Sequence, residues 1–370
     1  MTADGTVPGI ENVSQLTRWL RKNGVTAAEQ LPSVELIAGG RSNLTYRLTF
    51  PGDGEPTRAG EPTRAGEATR LVLRRPPLGH VLPTAHDMAR EYRVISALHG
   101  TDIPVASPVA FCSDPDVIGA PFYVMQYVDG LVLRTREQAA LIDPGQARQI
   151  SERLAEMLAA IHGLDLERAG LTDFGRPAGY MRRQLSRWQR QWELSVTREV
   201  PGYGELVARL EAGLPETGDG TLVHGDFRVD NVLLGLTPAP QIKAVVDWEM
   251  ATLGDPLADL ALTLVYWADP RDTDWVDVEV GATVTAEPGF LTREEFAAAY
   301  AAHSGRDLSG IGYYMAFGCF KLAVVLEGIN ARFLQNKTVG EGFEREGRAV
   351  PVLIRRAHRM LDSDPFAPAT

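Results

Sequence analysis

The change in hydrophobic patterning near residue 126 constrains the fold more than any other feature of this chain. Before this point the apolar residues form short strand-like runs around one helical pattern. The runs lie at residues 34–38, 44–50, 71–73 and 122–128, and the helical pattern lies at residues 87–98. The first two runs flank a glycine-rich loop at residues 39–43, which predicts a hairpin.

Helical spacing dominates the rest of the chain. Asp143 followed by Pro144 is typical of a helix start, because a carboxylate caps the first turn and proline suits its first position. The other helices are predicted at residues 13–22, 180–192, 257–267, 293–302, 313–334 and 345–361. The sequence therefore predicts an α+β protein with a strand-rich N-terminal lobe over residues 1–126 and a mostly helical C-terminal lobe over residues 127–370.

Composition excludes several classes of protein. A net charge of −11 argues against a generic nucleic-acid binder, which needs a basic surface to neutralise phosphates. Two cysteines, Cys112 and Cys319, are too few for a disulfide framework. The N-terminus lacks the features of a secretion signal, and the apolar run at residues 257–268 is too short to span a bilayer. We therefore expect a cytoplasmic protein with no nucleic-acid or membrane partner, and the sequence leaves its oligomeric state open.

A repeat interrupts the first lobe. The hexamer Gly-Glu-Pro-Thr-Arg-Ala begins at Gly54 and again at Gly60, and a degenerate copy begins at Gly66. We interpret it as an expanded, solvent-facing hairpin loop, since surface loops tolerate insertions at low cost.

The motif most informative about function lies in the second lobe. His224-Gly225-Asp226 is followed by Asn231 at the spacing Asp-x-x-x-x-Asn, and Asp247 comes sixteen residues after Asn231 at the end of an apolar run. Phosphoryl transfer needs a carboxylate beside the acceptor hydroxyl and hard oxygen ligands that hold Mg²⁺ against the phosphates. The alternative, that these residues only form a turn and caps, would be preferred for the Asp-x-x-x-x-Asn spacing alone. The combination with Asp247 favours phosphoryl transfer.

These residues resemble the aminoglycoside phosphotransferase family of kinase-like enzymes, in the branch similar to the kinase-like N-terminal domains of some acyl-CoA dehydrogenase fusion proteins. The resemblance covers about residues 35–265. Besides the motif at residues 224–231 and the aspartate at position 247, it rests on the segments 39–43, 71–76, 91–93, 123–125 and 254–261. It implies a protein-kinase-like two-lobe fold and transfer of a phosphoryl group from ATP, or GTP in its place, with Mg²⁺.

The resemblance also implies roles for individual residues in catalysis and metal binding. Asp226 resembles the catalytic base, and Asn231 and Asp247 resemble the metal ligands. Asp173-Phe174-Gly175 has the letters of the protein-kinase metal motif but precedes the catalytic loop, and we interpret it as a chance match.

For the nucleotide, Ser42 and Asn43 match the loop that approaches the phosphates, and Tyr127 and Val128 match the hinge that contacts the base. The remaining two matches are an arginine and the carboxylate expected to pair with it. Arg74 stands where kinases place a strand lysine, and Glu91 matches its acidic partner. Arginine keeps the charge but reaches differently. The alternative for Arg74 is an exposed residue at a strand end, and side-chain alternation predicts that Arg75 points to the opposite face.

Several polar residues near these motifs are predicted to be structural. We expect His224 to brace the catalytic loop, His162 to be a packing histidine, and Asp255 and Asp259 to cap or brace local structure.

The acceptor is predicted to be a hydroxyl group on a small molecule, as in the aminoglycoside phosphotransferases, with hydroxyacyl or hydroxy-acid compounds as the alternative. Its identity stays open. An acidic stretch could attract a polycationic aminoglycoside, whereas an arginine face could hold a carboxylate or a coenzyme A phosphate. The acidic stretch comprises Asp269, Asp272, Asp274, Asp277 and Glu279, and the arginine face comprises Arg183, Arg187 and Arg190. Both sets could equally be solvated surface. Lys321 and Glu327, on a late helix, could line the acceptor pocket.

Two other functional classes are alternatives. A pseudokinase would keep the fold without turnover, and the arginine at position 74 favours it, whereas the intact Asp226, Asn231 and Asp247 argue against it. A protein kinase would need an activation segment after Asp247, but Gly254-Asp255-Pro256 follows at once.

Overall fold

The computed structural model describes residues 7–37, 43–51, 68–78, 86–216, 220–272, 283–335 and 343–366. Ser42 and most of the glycine-rich loop lie outside the described residues, as does most of the hexamer repeat. Three members of the acidic stretch, Asp274, Asp277 and Glu279, lie outside them too.

The chain divides into two compact units. The first comprises Met1–Asp129 and Ala244–Glu249, and the second comprises Gly130–Lys243 and Met250–Thr370. The prediction placed the boundary at residue 126 and did not include the later segment. That segment joins the first unit through pairing distant in sequence, since the Val245 N–H donates to the Pro104 carbonyl oxygen at 2.8 Å.

The first unit is built on a five-stranded antiparallel sheet in the order β1-β2-β3-β5-β4. Its strands are β1 Ser33–Leu36, β2 Leu44–Phe50, β3 Thr69–Arg75, β4 Pro108–Cys112 and β5 Phe122–Gln126, and its helices are α1 Val13–Lys22 and α2 Met88–Leu98. The predicted hairpin is confirmed as β1 and β2, whose register pairs Ser33 with Thr49.

Side-chain alternation gives the two faces of the sheet different roles. One face carries Tyr46, Leu48, Leu71 and Leu73, which belong to the hydrophobic core of this unit together with Leu16 of α1 and other residues. The other face carries every second residue of β3, at positions 70, 72 and 74. Position 74 is therefore on the face that does not join the core.

Arg75 points to the core side, as alternation predicts. It is buried, and its Nη1 donates to the carbonyl oxygens of Gly9 and, at 2.9 Å, Ile118. This arginine ties the N-terminal segment to the sheet.

The second unit is mostly helical. Its helices are α3 Arg136–Ala139, α4 Pro144–His162, α5 Tyr180–Ser195, α6 Tyr203–Ala212, α7 Pro256–Tyr266, α8 Arg293–Ser304, α9 Ile311–Leu334 and α10 Phe343–Asp362. Short strands interrupt them: β6 Thr221–Val223, β7 Val232–Gly235, β8 Gln241–Val245 and β9 Thr252–Gly254, with β6 paired to β9 and β7 paired to β8. The last two residues of β8 continue into the first unit.

Local capping explains where several helices begin. The Asp143 side chain accepts from the Gln146 N–H in a reciprocal capping box, with proline at the first position of α4. Asp255 caps α7 by accepting from the Leu257 N–H at 2.9 Å, again followed by proline. The predicted structural role of Asp255 is therefore confirmed.

The long helix α9 is the core helix of the second unit. By length and composition it could cross a bilayer, with a mean hydropathy of 1.3 over its most apolar window, but 72% of that window is buried. Among the described residues it is the one helix that passes this test.

Candidate active site

In the first unit, Arg74 of β3 and Glu91 of α2 form a buried ion pair. The Nε of Arg74 lies 3.1 Å from Oε1 of Glu91, and the two side chains are 11% and 1% exposed. Arg74 is therefore not an exposed residue at a strand end, so that alternative is wrong. The structure brings together the two residues that the resemblance paired.

The charges of this pair depend on its burial. Burial acts to lower the pKa of Arg74, but the field of Glu91, Asp247 and Glu249 outweighs it and raises the pKa. Burial raises the pKa of Glu91 to about 7, although the guanidinium beside it acts in the opposite direction. Arg74 therefore stays protonated at neutral pH, whereas Glu91 titrates close to it.

The segment after β8 brings two more carboxylates to Arg74. The Nη2 of Arg74 contacts Oδ1 of Asp247 and lies 3.8 Å from Oε2 of Glu249. Asp247 has a φ of 69°, in the left-handed region that non-glycine residues rarely adopt. Such strain is maintained where the surrounding structure enforces it, often at functional sites.

Glu249 is a residue of this cluster that the sequence reasoning did not single out. Its Oε2 accepts from Nδ2 of Asn43 at 2.8 Å and lies 3.6 Å from Nδ1 of His86. The spacing Asp-x-Glu from Asp247 was the available signal. Asn43 is buried, and its Oδ1 has no hydrogen-bond partner among the described residues. An amide oxygen of this kind accepts from water or binds a hard cation such as Mg²⁺.

Tyr127 continues the pairing of β5 with β3. Its N–H donates to the Arg70 carbonyl oxygen at 3.3 Å, and the Arg70 guanidinium lies 4.6 Å from the centre of its ring. Because Arg70 and Arg74 alternate onto the same face of β3, the ring lies on the face that also carries Arg74. Val128 follows, half-buried. The roles of Tyr127 and Val128 in binding the base stay predictions.

In the second unit, the loop after β6 fixes the position of Asp226. The Asp226 N–H donates to Nδ1 of His224 at 3.3 Å, which agrees with a bracing role for His224. Nδ2 of Asn231 donates to the carbonyl oxygen of Asp226 at 2.8 Å and to its Oδ2 at 3.1 Å. The amide nitrogen of Asn231 is thus turned to Asp226, which leaves its amide oxygen as the atom able to bind a metal.

The loop rests on a buried carboxylate. Asp259 of α7 accepts from the N–H groups of His224 at 2.7 Å and Gly225 at 2.8 Å, and lies 3.2 Å from Nε2 of His162. Burial acts to raise the pKa of Asp259, but hydrogen bonding and charge from His162 and His224 outweigh it, and the pKa is lowered. The predicted bracing role of Asp259 is confirmed. His162 is more than a packing residue, since its Nδ1 also bonds the Tyr300 hydroxyl at 2.7 Å.

Gly225 is required by the shape of this loop. Its φ is 83°, and a Cβ at this position would lie 2.7 Å from the Met250 carbonyl oxygen. Any larger residue would therefore displace the backbone that carries Asp226.

Two residues of the acidic stretch, Asp269 and Asp272, are buried rather than solvated. Asp269 is buried and paired with Arg271 at 2.7 Å. Asp272 is buried between Arg293 and Arg356. Because arginines neutralise these two carboxylates, neither is available to attract a polycation.

Glu327 and Arg183 make contacts within the second unit, and Asp173 lies in a loop. Glu327 is fully buried and accepts from the Thr197 N–H at 3.0 Å, so it does not line a pocket. Arg183 donates to the carbonyl oxygens of Arg176 and Ala178. Asp173 is exposed in a loop before α5, which agrees with its interpretation as a chance match.

Known proteins resemble this chain over most of its length. The model of the phosphotransferase enzyme family, APH, matches residues 33–308. Acyl-CoA dehydrogenase family member 11 of Gallus gallus is 35% identical over 331 residues, which cover 88% of this chain and 40% of that protein. Family member 10 of Mus musculus is 33% identical, over 80% of this chain and 28% of that protein. The chain thus spans less than half the length of these two relatives.

Solved structures give the same result for the fold. A provisionally named aminoglycoside phosphotransferase from Ralstonia eutropha JMP134 has a TM-score of 0.75 and 29% identity, with 95% of this chain and 98% of that chain covered. Choline kinase from Cryptosporidium parvum Iowa II, at 14% identity, has a TM-score of 0.59 with 96% and 100% covered, and shows the fold alone. The predicted kinase-like α+β fold is confirmed, and the chain belongs to the phosphotransferase enzyme family.

Proposed function

We propose that the chain transfers the γ-phosphoryl group of ATP to a hydroxyl group of a small molecule, with Asp226 as the base. The observation that carries this proposal is the fixed position of the Asp226 carboxylate. The Asn231 amide donates to one of its oxygens, and the loop that precedes it is anchored on the buried Asp259. A base oriented in advance supplies much of the catalysis in this chemistry, in which positioning dominates.

In the proposed reaction, the γ-phosphoryl group passes from the nucleotide to the acceptor hydroxyl. The acceptor oxygen forms a bond to Pγ, and the bond from Pγ to the bridging oxygen breaks, so that ADP leaves with the electron pair. The hydroxyl proton passes to the Asp226 carboxylate. When bound, Mg²⁺ neutralises the charge that develops on the phosphate oxygens. The Asn231 amide oxygen and the Asp247 carboxylate are the groups proposed to hold it.

Arg74 is proposed to bind the phosphates of the nucleotide. Glu91 holds the Nε side of its guanidinium, which orients the group rather than leaving it mobile. A structural neighbour was solved with ADP and hygromycin B, and another with GDP and kanamycin. We propose ATP as the donor here, with GTP as the alternative to test beside it.

The test is a screen for ADP or GDP release. The full chain with Mg²⁺ and either nucleotide is offered aminoglycosides, macrolides, sugars, amino alcohols and hydroxyacyl-coenzyme A compounds. We expect one class to stimulate release in the wild type, and Asp226→Asn to reduce it by about 10²–10⁴. Asp173→Asn, which makes the same change at an exposed carboxylate, should behave as the wild type.

A binding measurement separates the enzyme from a pseudokinase. Thermal shift with ATP and Mg²⁺ should show magnesium-dependent stabilisation in the wild type and in Asp226→Asn alike. Stabilisation without phosphoryl transfer to any class of acceptor would refute the proposed activity and favour a binding module.

A further inference from the structure

Lys321 places a positive charge beside the proposed base. It lies on α9, and its Nζ donates to the carbonyl oxygen of Gly225 at 3.3 Å. Gly225 immediately precedes Asp226 in the loop. This contact joins residues 96 positions apart in sequence, and it brings the ammonium group beside the loop that carries Asp226.

The ammonium group is only partly satisfied by the protein. Its Nζ lies 5.6 Å from the centre of the Trp188 indole, within the range of a cation–π contact. Among the described residues, its Nζ makes a hydrogen bond to the Gly225 carbonyl oxygen and no ion pair. Burial lowers the pKa of Lys321, and the nearby carboxylates of Asp226 and Asp259 act in the opposite direction. A half-buried cation without a carboxylate partner is costly, and such groups occur most often at functional sites.

A second cation lies on the same indole. The Arg187 guanidinium of α5 is 5.5 Å from the centre of the Trp188 ring, and its charge also acts to lower the pKa of Lys321. Arg187 is exposed, so its charge is available to a ligand. Two positive charges therefore lie around Trp188, next to the loop that carries Asp226.

The carboxylates of Asp226 and Asp259 offset part of this positive charge, and the other described charges on this side are paired with one another. Arg228 lies 3.8 Å from Oδ1 of Asp226 and pairs with Asp230 at 2.7 Å. The described carboxylates of the acidic stretch, Asp269 and Asp272, are already paired with arginines. A polycationic acceptor would therefore meet repulsion near Lys321, whereas an anionic group would be attracted.

We propose that Lys321, with Arg187 and Trp188, forms an anion-binding subsite that selects hydroxy compounds bearing a carboxylate or a phosphate. The inference rests on the proposed function, since the anion is held so that a hydroxyl group of the same molecule reaches Asp226. Lys321 is a specificity-determining residue in this account. Its ammonium contacts the acidic group of the acceptor and takes no part in the transfer of the proton.

The test uses acceptors that share one secondary alcohol and differ in charge. 3-Hydroxybutyrate is anionic through its carboxylate, 1,3-butanediol is neutral, 4-amino-2-butanol is cationic, and 3-hydroxybutyl phosphate carries its negative charge on a phosphate. Binding is measured by calorimetry with the full chain saturated with a non-hydrolysable ATP analogue and Mg²⁺, and phosphorylation is measured with ATP. We expect one or both anions to be preferred over the diol and the amine.

The variants are chosen to separate charge from packing. Lys321→Met keeps the length of the side chain and should lower the preference for the anion over the diol by about 10-fold or more. Lys321→Arg keeps the charge and should retain most of the preference. Arg332→Met removes an exposed cation from the last turn of the same helix and should change nothing.

The outcomes are distinct. Equal anion preference in Lys321→Met and Arg332→Met would overturn the subsite, as would a wild type that binds neither anion or prefers the diol or the amine. Binding of the free acid alone identifies a carboxylate ligand, and binding of the phosphate ester alone identifies a phosphate ligand. An anion that binds through Lys321 but is never phosphorylated would refute the proposed function and leave the subsite standing.

Discussion

Asp259→Ala tests whether the catalytic loop depends on the buried carboxylate beneath it. The Asp259 carboxylate accepts from two backbone N–H groups, those of His224 at 2.7 Å and Gly225 at 2.8 Å, and bonds the His162 ring at 3.2 Å. Alanine leaves both buried N–H groups without an acceptor, at about 1–3 kcal/mol each. With the loss of the His162 contact, we expect the free energy of unfolding to fall by about 3–5 kcal/mol.

The same variant should lose turnover more than nucleotide affinity. The loop carries Asp226, and a displaced base costs roughly 10²-fold in kcat. The nucleotide contacts proposed for Arg74 lie in the first unit, so the KM for ATP should change little. Urea denaturation and steady-state kinetics measure the two effects, with Glu199→Ala as an exposed-carboxylate control that should cost less than about 0.5 kcal/mol.

The dependence of stability on pH gives an independent check. Because the pKa of Asp259 is lowered in the folded chain, its stabilisation is present above the ordinary aspartate pKa of about 4 and is lost as the pH falls through the lower folded value. The free energy of unfolding of Asp259→Ala should therefore not show this loss at acid pH. A loss below about 1 kcal/mol together with unchanged kcat would refute the bracing role.

Four further predictions concern the first unit. Arg74→Ala should raise the KM for ATP and lower kcat, and Arg74→Lys should recover less than full activity if the site needs the paired guanidinium; steady-state kinetics decide this. Asp247→Asn keeps a residue that tolerates a positive φ but loses the charge, so magnesium-dependent nucleotide binding, measured by calorimetry, should weaken. Arg75→Ala should leave the KM for ATP unchanged yet lower the unfolding free energy by about 2–4 kcal/mol, because two buried carbonyl oxygens lose their donor; urea denaturation measures it. Since the pKa of Glu91 is raised to about 7, its stabilising effect is complete below about pH 4 and is lost as the pH rises through about 7; Glu91→Gln should abolish that slope in unfolding measurements.

Local sequence signals predicted the elements that carry their own capping and periodicity. The helix at residues 13–22 was placed at its observed bounds from its amphipathic pattern, and the structure shows that Asn12 caps it. The pairing of Arg74 with Glu91 followed from the family resemblance, and the alternation of Arg74 and Arg75 followed from strand geometry. The helix at residues 203–212 was not predicted; its N-cap residue Gly202 supplies no side-chain cap.

Contacts between residues far apart in sequence escaped the local patterns. Asp272 looked like part of a solvated acidic run, but it is buried by Arg293 and Arg356, the latter 84 residues away. His162 looked like a packing residue, and its bonds to Asp259 and Tyr300 span 97 and 138 residues. The ion pair that Arg74 makes with Asp247 spans 173 residues. Tertiary packing determines these roles, and a single sequence carries no periodic trace of them.

The central claim is that this chain transfers a phosphoryl group to a hydroxyl group with Asp226 as the base. It is tested most directly by following the label of [γ-³²P]ATP into the acceptor that stimulates nucleotide turnover, with wild type and Asp226→Asn compared at saturating ATP and Mg²⁺. The account predicts a labelled acceptor from the wild type, a rate lower by about 10²–10⁴ in Asp226→Asn, and similar ATP affinity in the two proteins. An acceptor that stays unlabelled, or one labelled equally fast by Asp226→Asn, would contradict it.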